Sequence, residues 1–300
     1  MAKASDFEGK KPEELFYFVD YSPEEAERIG YSNYSYWGSV IQNFLKQKVA
    51  VFCLILFLAL TVFSFIALGI GKYHYTTLIS DSSKAFIKPN SEYWFGTDNL
   101  GRDYWCQVWY ATQVSIRLAL VVAVGESIVG VIFGLIWGYV RKLDRFFTEL
   151  YNICDNVPST IILILISYVA SPSIQTLILG MSITGWIAMA RFIRNQIIII
   201  RDRDYNVASR CIGTPTSRIV VRNLLPYLVS VIMLRMALTI PAAIGSEVFI
   251  TYIGLGLSVE TPSLGNLIND GRKVMMQAGL RYQLLYPTII LSFVTIAFYL

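Results

Sequence analysis

Five ionisable residues stand out within the apolar runs of this chain: Glu126, Arg191, Arg194, Arg235 and Glu247. A charge within a membrane-spanning helix is expensive to keep there, so each is a functional candidate by default. Arg191 and Arg194 fall toward one end of their run, where a long side chain reaches the membrane surface by snorkelling. Glu247 falls near an end of its own run, where an interhelical hydrogen bond and a place on a transport path are both open. Glu126 and Arg235 lie deeper, fit either to line a translocation path or to pair helices. Such scattered charges do not compose a proton relay, which needs a connected chain of groups. Other chemistries lack their residues. There is no G-x-x-x-x-G-K-[ST] loop for nucleotide phosphates, no H-E-x-x-H and no G-x-S-x-G, so the chain does not hydrolyse ATP itself and reads as non-catalytic. With one His and four Cys, of which Cys53 and Cys154 lie in or beside apolar runs, no metal or disulfide spacing is visible. No cofactor or metal is expected on this chain.

The elements that position these residues are membrane helices. A chain of 300 residues that is 55% hydrophobic and only 15% charged is more apolar than a soluble domain needs to be. Apolar runs near the ~20 residues that cross a bilayer occur at 49–71, 118–139, 147–170, 174–200, 227–250 and 283–300. The fold class expected is therefore an all-α membrane protein with six transmembrane helices. Arg141, Lys142 and Arg145 follow the second run, and Arg201, Arg203, Arg210, Arg218 and Arg222 follow the fourth. By the positive-inside tendency those connections face the cytoplasm, as do both termini. The net charge of +4 resides mainly in such short loops, which argues against nucleic acid as a partner.

Residues 1–48 read as a cytoplasmic N-terminal segment, 72–117 as an extracellular connection, and 118–300 as a core of five spans. The opening stretch carries Asp6, Glu8, Glu13, Glu14, Glu24 and Glu25 and lacks an early apolar core, so it is no secretory signal. Ser22, Pro23 and Glu25 form a capping box that predicts a short helix to Ile29, ended by Gly30. Tyr36, Trp37, Val40, Ile41, Phe44 and Leu45 recur at helical spacing before Lys46 and Lys48. That pattern fits either a helix lying in the membrane interface against lipid or a simple extension of the first span. Gly125, Gly130, Gly134 and Gly138 mark a small-residue face on the second span, suited to tight helix packing.

The polar loop 204–226 reads as two short helices. The first runs from Asp204 to Ile212 and stops at Gly213, the residue type that most easily adopts a left-handed cap. The second starts at once, with Thr214 as N-cap and Pro215 at its first position. The product is a compact knuckle bent at Gly213, suited to being gripped by a partner.

This loop resembles that of the inner-membrane permeases of binding-protein-dependent ABC importers, which follows E-A-A, three residues, G, about nine residues, then I-x-L-P. Gly213 matches the glycine, Ala208 and Ser209 the alanines, and Leu225-Pro226 the closing Leu-Pro. Val207 replaces the glutamate, which leaves docking to shape and to Arg210. Phe95-Gly-Thr-Asp-Asn-Leu-Gly-Arg-Asp103 is similar to the G-T-D-x-x-G-R-D signature of the peptide and nickel branch. Ser246 to Gly256 and Thr261 to Asn266 are similar to its E-x-x-L-S-F-L-G-L-G and P-S-W-G-N segments.

The resemblance implies the shorter of the two permeases paired in an oligopeptide importer of a prokaryotic plasma membrane. It also implies a short tail beyond Leu300, a second permease chain, two cytoplasmic ATPases that bind ATP and magnesium, and an extracellular peptide-binding protein. The ATPase-coupling residues would be Val207, Ala208, Ser209, Arg210, Gly213, Thr214, Pro215 and Pro226. Gly96, Thr97, Asp98, Gly101, Arg102 and Asp103 form an Asx-capped turn, with Asp98 or Asn99 capping, and are candidates for docking the binding protein. Translocation-path candidates are Glu126, Arg235 and Glu247. The loop 254–281 either dips into the outer leaflet or touches the docked protein. Dipeptide or nickel transport, an ion-coupled secondary transporter and a membrane anchor remain as alternatives, though no pair of interrupted spans favours ion coupling.

Overall fold

The computed structural model describes residues 36–71, 82–171, 173–258 and 261–299. The helix expected at 22–29 lies outside them. Helix α1 (Tyr36–Lys46) exposes Ile41, Phe44 and Leu45 and ends on Lys46. It belongs to the first of two compact units, and the helices that follow Lys48 belong to the second.

Helix α2 (Lys48–Ile70) is apolar nearly throughout and leaves Phe52, Ile55, Leu58 and Phe65 uncovered, as a helix facing hydrocarbon does. After it come α3 (Tyr104–Tyr139), α4 (Arg141–Asp155), α5 (Ser159–Val169), α6 (Ile174–Arg201) and α7 (Asp204–Cys211). The chain then passes through a helical turn, α8 (Thr216–Ile219), and a π-helical turn (Val220–Leu224) into α9 (Leu225–Tyr252). Helices α10 (Leu264–Val274) and α11 (Tyr282–Tyr299) complete the described order. Among the described residues five helices are long and apolar enough to cross a membrane, and α4 with α5 make a sixth crossing if that bent pair counts as one.

Three elements depart from the sequence reading. Helix α3 begins at Tyr104, not Leu118, so the residues up to Arg117 are helix rather than connection. They escaped notice because they are polar, yet most are buried and bonded: Gln113 Nε2 donates to Ser64 O at 2.8 Å, and Thr112 Oγ1 to Val108 O at 2.8 Å. The third span is broken. Helices α4 and α5 meet at a 70° bend. Pro158 explains it, since proline drives its predecessor Val157 out of helical conformation and has no N–H to continue the ladder. Finally, the second half of the knuckle is continuous with the fifth span. Its cap is Pro215 rather than Thr214, and no side-chain hydrogen bond caps it. The π turn stands just before Pro226, whose ring would otherwise strike the carbonyl four residues back.

The principal helix interface in the bundle is α3 against α6. A Cβ added at Gly130, Gly134 or Gly138 would press on Met189, Ile193 or Ile197 respectively, so the glycine face is a backbone contact surface. Gly125 is looser, with Ser182 Oγ 3.5 Å from such a Cβ. Arg191 and Arg194 do not snorkel freely: both hold α4 onto α6. Arg194 Nε and Nη2 donate to Asp144 at 2.9 and 3.0 Å, and the Arg191 guanidinium sits 4.2 Å from the Tyr151 ring centroid.

Candidate coupling and transport site

Helix α7 ends in a complete Schellman motif. Gly213 has φ +78°, its N–H donates to Arg210 O at 3.0 Å, and the Thr214 N–H donates to Ser209 O at 3.0 Å. Nothing lies within 4 Å of a Cβ built on Gly213, so glycine is needed there for backbone conformation and not for space. Val207, Ala208, Arg210, Pro215 and Pro226 are exposed, while Ser209 and Thr214 are partly covered. Ser209 Oγ donates to Tyr205 O at 2.8 Å. Exposed Tyr205 and Ile212 add an apolar character to this surface.

Two residues missed at the sequence level anchor the knuckle. Asn206 is fully buried; its Nδ2 donates to Ile200 O at 2.8 Å and its Oδ1 accepts from Asn223 Nδ2 at 3.0 Å. It therefore stitches α7 to the end of α6 and to the π turn before α9. Asp202 gathers Arg141, Arg201 and Arg210 at 3.0, 3.2 and 3.2 Å. Slight burial pushes its carboxyl up, but the hydrogen bonds from Arg210 and Arg201 and the charge of Arg141 prevail and hold it below the ordinary value. Arg201 Nη1 also donates to Gly138 O at 2.6 Å. The one legible signal was the run of arginines around a single acidic pair, Asp202 and Asp204. Arg210 is thus engaged within the chain rather than wholly free for docking.

A cavity of about 720 Å³ opens beside the bend between α4 and α5. Glu126 of α3 and Arg235 of α9 both line it, with Thr184, Thr239 and Ser246 among the polar groups around them. The carboxylate of Glu126 packs on the α-carbon of Gly185 in α6, which leaves no room there for a side chain. The Arg235 guanidinium lies 5.8 Å from the Phe192 ring centroid.

Glu247 does not line that cavity. It is fully buried and accepts from Ser115 Oγ at 3.3 Å, Thr251 Oγ1 at 3.1 Å and Ser263 Oγ at 2.7 Å. This correction makes it a structural hub tying α3, α9 and the start of α10, where Ser263 also caps by accepting from the Asn266 N–H at 3.1 Å. The apolar surroundings reward such a hub because each hydroxyl would otherwise be orphaned. Replacing Glu247 by leucine should therefore destabilise the chain by at least about 2 kcal/mol, read as a lowered unfolding midpoint in detergent, whereas Glu247→Gln should recover part of the loss.

The opposite end of the bundle carries a knot. Asp98 Oδ1 accepts from the N–H groups of Leu100 and Arg102 at 2.9 and 2.8 Å, and Oδ2 accepts from Arg102 Nε at 2.6 Å. Gly96 and Gly101 have φ of +76° and +74°. Thr97 O accepts from Gln283 Nε2 at 2.9 Å and from Tyr282 OH at 3.2 Å. The helix cap is Asp103, which accepts from the Trp105 N–H at 3.1 Å; burial pushes its carboxyl above the ordinary value against that bond. Gly96, Thr97, Asp98, Gly101, Arg102 and Asp103 are all buried. They fasten the loop to α11 and are not themselves a docking surface, a correction that follows from their inward hydrogen bonds. Exposed Trp94, Asn99 and Leu100 form the outer face of this loop.

Comparison with known proteins places this geometry. Residues 130–300 match the model of the binding-protein-dependent transport system inner membrane component, and residues 35–89 match the N-terminal TM domain of oligopeptide transport permease C. The chain is 40% identical to the oligopeptide transport system permease protein AmiD of Streptococcus pneumoniae, over 86% of this chain and 84% of that one. It is 32% identical to the oligopeptide transport system permease protein OppC of Bacillus subtilis, over 87% and 85% of the two chains. To the dipeptide transport system permease protein DppC of the same species it is 30% identical, over 96% and 89%. A chain of the MetNI methionine ABC transporter, solved in inward-facing conformations, shares the fold with TM-score 0.53 and 18% identity, covering 64% of this chain and 93% of that one. On these matches this chain belongs to the family of binding-protein-dependent transport system inner membrane components, the non-catalytic permeases of ABC importers.

Proposed function

We propose that this chain forms half of the translocation path of an ATP-driven oligopeptide importer in a prokaryotic plasma membrane. The observation that carries the reading is mechanical. The knuckle 204–226 is rigidly capped at Gly213 and runs without a break into α9, which borders the charged cavity. A second, different permease chain completes the path. Two ATPases, which bind ATP and magnesium, grip the two knuckles, and a peptide-binding protein delivers cargo from outside. Both termini then lie in the cytoplasm, and α1 rests in the membrane interface. ATP-driven closure of the ATPases brings the knuckles together and opens the path outward; hydrolysis resets it. Exposed Trp94 and Leu100, rather than the buried knot, meet the binding protein.

The peptide cargo is supported by the similar permeases, two of oligopeptide systems and one of a dipeptide system. The complex reconstituted in proteoliposomes should accumulate labelled oligopeptide when ATP is supplied to the ATPases. Accumulation of nickel without peptide would overturn the cargo, and dipeptide uptake that excludes longer peptides would move the chain to the dipeptide class.

Coupling through the knuckle also predicts a specific behaviour for Asp202→Asn. Surface ion pairs contribute only about 0–1 kcal/mol, so this variant should fold and assemble normally. Because Asp202 joins the start of α4 to the ends of α6 and α7, peptide uptake per ATP hydrolysed should nevertheless fall, as measured by parallel uptake and phosphate-release assays. An unchanged ratio would remove Asp202 from the coupling route.

A further inference from the structure

The cavity beside the α4–α5 bend is lined by Glu126 of α3 and Arg235 of α9, with Asp155 at the end of α4. Glu126 and Arg235 feel each other's charge without closing into a salt bridge, and Arg235 otherwise lies 5.8 Å from the Phe192 ring centroid. This contrasts with Arg194, which the fold commits to Asp144 in a salt bridge. It contrasts also with Glu247, whose oxygens are occupied by three hydroxyls. An uncommitted charge inside a span is costly, and it is tolerable where it faces a polar, solvent-reached space. Both residues do so. By the ~1.5 Å helical rise, Glu126 and Arg235 lie roughly 15–20 Å from the ends of α3 and α9 nearest the knuckle, so they stand at similar depth. The same cavity wall presents Thr184, Thr239 and Ser246, hydroxyls that accept and donate. The break between α4 and α5 lines it through Val157 and Pro158, and irregular backbone at membrane depth is tolerated where it lines such a space.

We infer that Glu126 and Arg235 form a subsite for the terminal charges of a zwitterionic peptide in transit, Glu126 for the ammonium terminus and Arg235 for the carboxylate. This deepens the peptide-importer reading and rests on it. A carboxylate beside an arginine is the chemistry that distinguishes a free peptide from a capped one, because a guanidinium binds a carboxylate with paired, charge-assisted hydrogen bonds that an amide cannot supply. The Glu126 carboxylate lies against Gly185, where a larger residue would crowd it. The remaining lining is mostly apolar, including Val122, Leu163 and Met181, and imposes no demand on side-chain identity.

The test uses the full complex in proteoliposomes with one unaltered binding protein, so that any change in selectivity belongs to the permease. Uptake of trialanine is compared with that of its N-acetyl and C-amide forms, each at concentrations saturating the binding protein. The parent should favour free over N-acetyl peptide by about tenfold, the discrimination expected of one charged hydrogen bond. Glu126→Gln should bring that ratio near one and leave the C-amide ratio alone, Glu126→Asp should retain it, and Arg235→Gln should do the converse. If the binding protein rejects a derivative, alkylation of a Thr239→Cys variant decides instead: free trialanine should slow it and the capped form should not. Unchanged ratios in both variants, with parental peptide uptake intact, overturn the subsite alone. Equal loss of all three peptides in both variants identifies an internal gate and also overturns it. If the parent takes up no peptide at all, the importer reading fails, and the subsite with it.

Discussion

Replacing Gly134 with leucine will leave little or no folded protein in the membrane. A Cβ at this position already meets Ile193 Cβ and Ala190 O, and Ile193 is fully buried. The side chain cannot turn aside, because the conflict is at its first carbon and one partner is backbone. Helices α3 and α6 must separate along their principal interface, which loosens Gly130 against Met189 and Gly138 against Ile197 as well. Inserting bulk into a packed core costs about 1–3 kcal/mol per site, and more where backbones must part. Gly134→Ala should sit between parent and leucine variant. The measurement is recovery of monodisperse protein in detergent together with its unfolding midpoint; a leucine variant that matched the parent in both would refute a backbone contact at this glycine.

Exchange of Gly213 for valine should have the opposite signature, normal folding with failed transport. Its surroundings are empty, so no neighbour is displaced. The strain is conformational: a left-handed backbone costs an L-residue about 1–2 kcal/mol, and a β-branched one more. That energy is available by letting the Schellman turn open, which swings α7 relative to α8. ATPase subunits should still co-purify, while peptide uptake falls at least tenfold, the equivalent of roughly 1.4 kcal/mol misdirected in the coupled step. Gly213→Asn, which tolerates the left-handed region, should keep much of the activity. Full uptake by the valine variant would show that the bend can relax without consequence.

The sequence carried the long apolar spans plainly, because α2 presents a nearly unbroken hydrophobic run and α6 and α11 are predominantly apolar over a bilayer's length. It carried the glycine bend for a similar reason, since a single residue type announces the left-handed cap. Buried polarity was harder to read. The first turns of α3 look like a connection because Gln107, Thr112 and Gln113 are polar, and only the neighbours they bond reveal them as interior. The G-T-D-x-x-G-R-D block poses the same problem in reverse. Asx turns and positive-φ glycines suit an exposed recognition loop and an inward knot equally, and side-chain direction decided between them. The charges inside spans separated in the same way: Glu126 and Arg235 came together on one cavity, while Glu247 found hydroxyls from three elements.

The π turn at Val220–Leu224 joins two helical segments that a proline would ordinarily sever. From Thr216 to Tyr252 the chain is consequently one stiff rod of 37 residues. Arg235 rides on it about 30 Å from Thr216, where the rod begins, at ~1.5 Å per residue. Glu126 rides on a different rod, α3, whose near end is moored through Gly138 to Arg201 and so to the arginine cluster at Asp202. A small swing delivered at Gly213 is therefore magnified with distance along α9 but not along α3. Under the proposed coupling the lever would set the spacing of the two charges in the cavity, so that grip on the cargo and the nucleotide state of distant ATPases become a single mechanical variable.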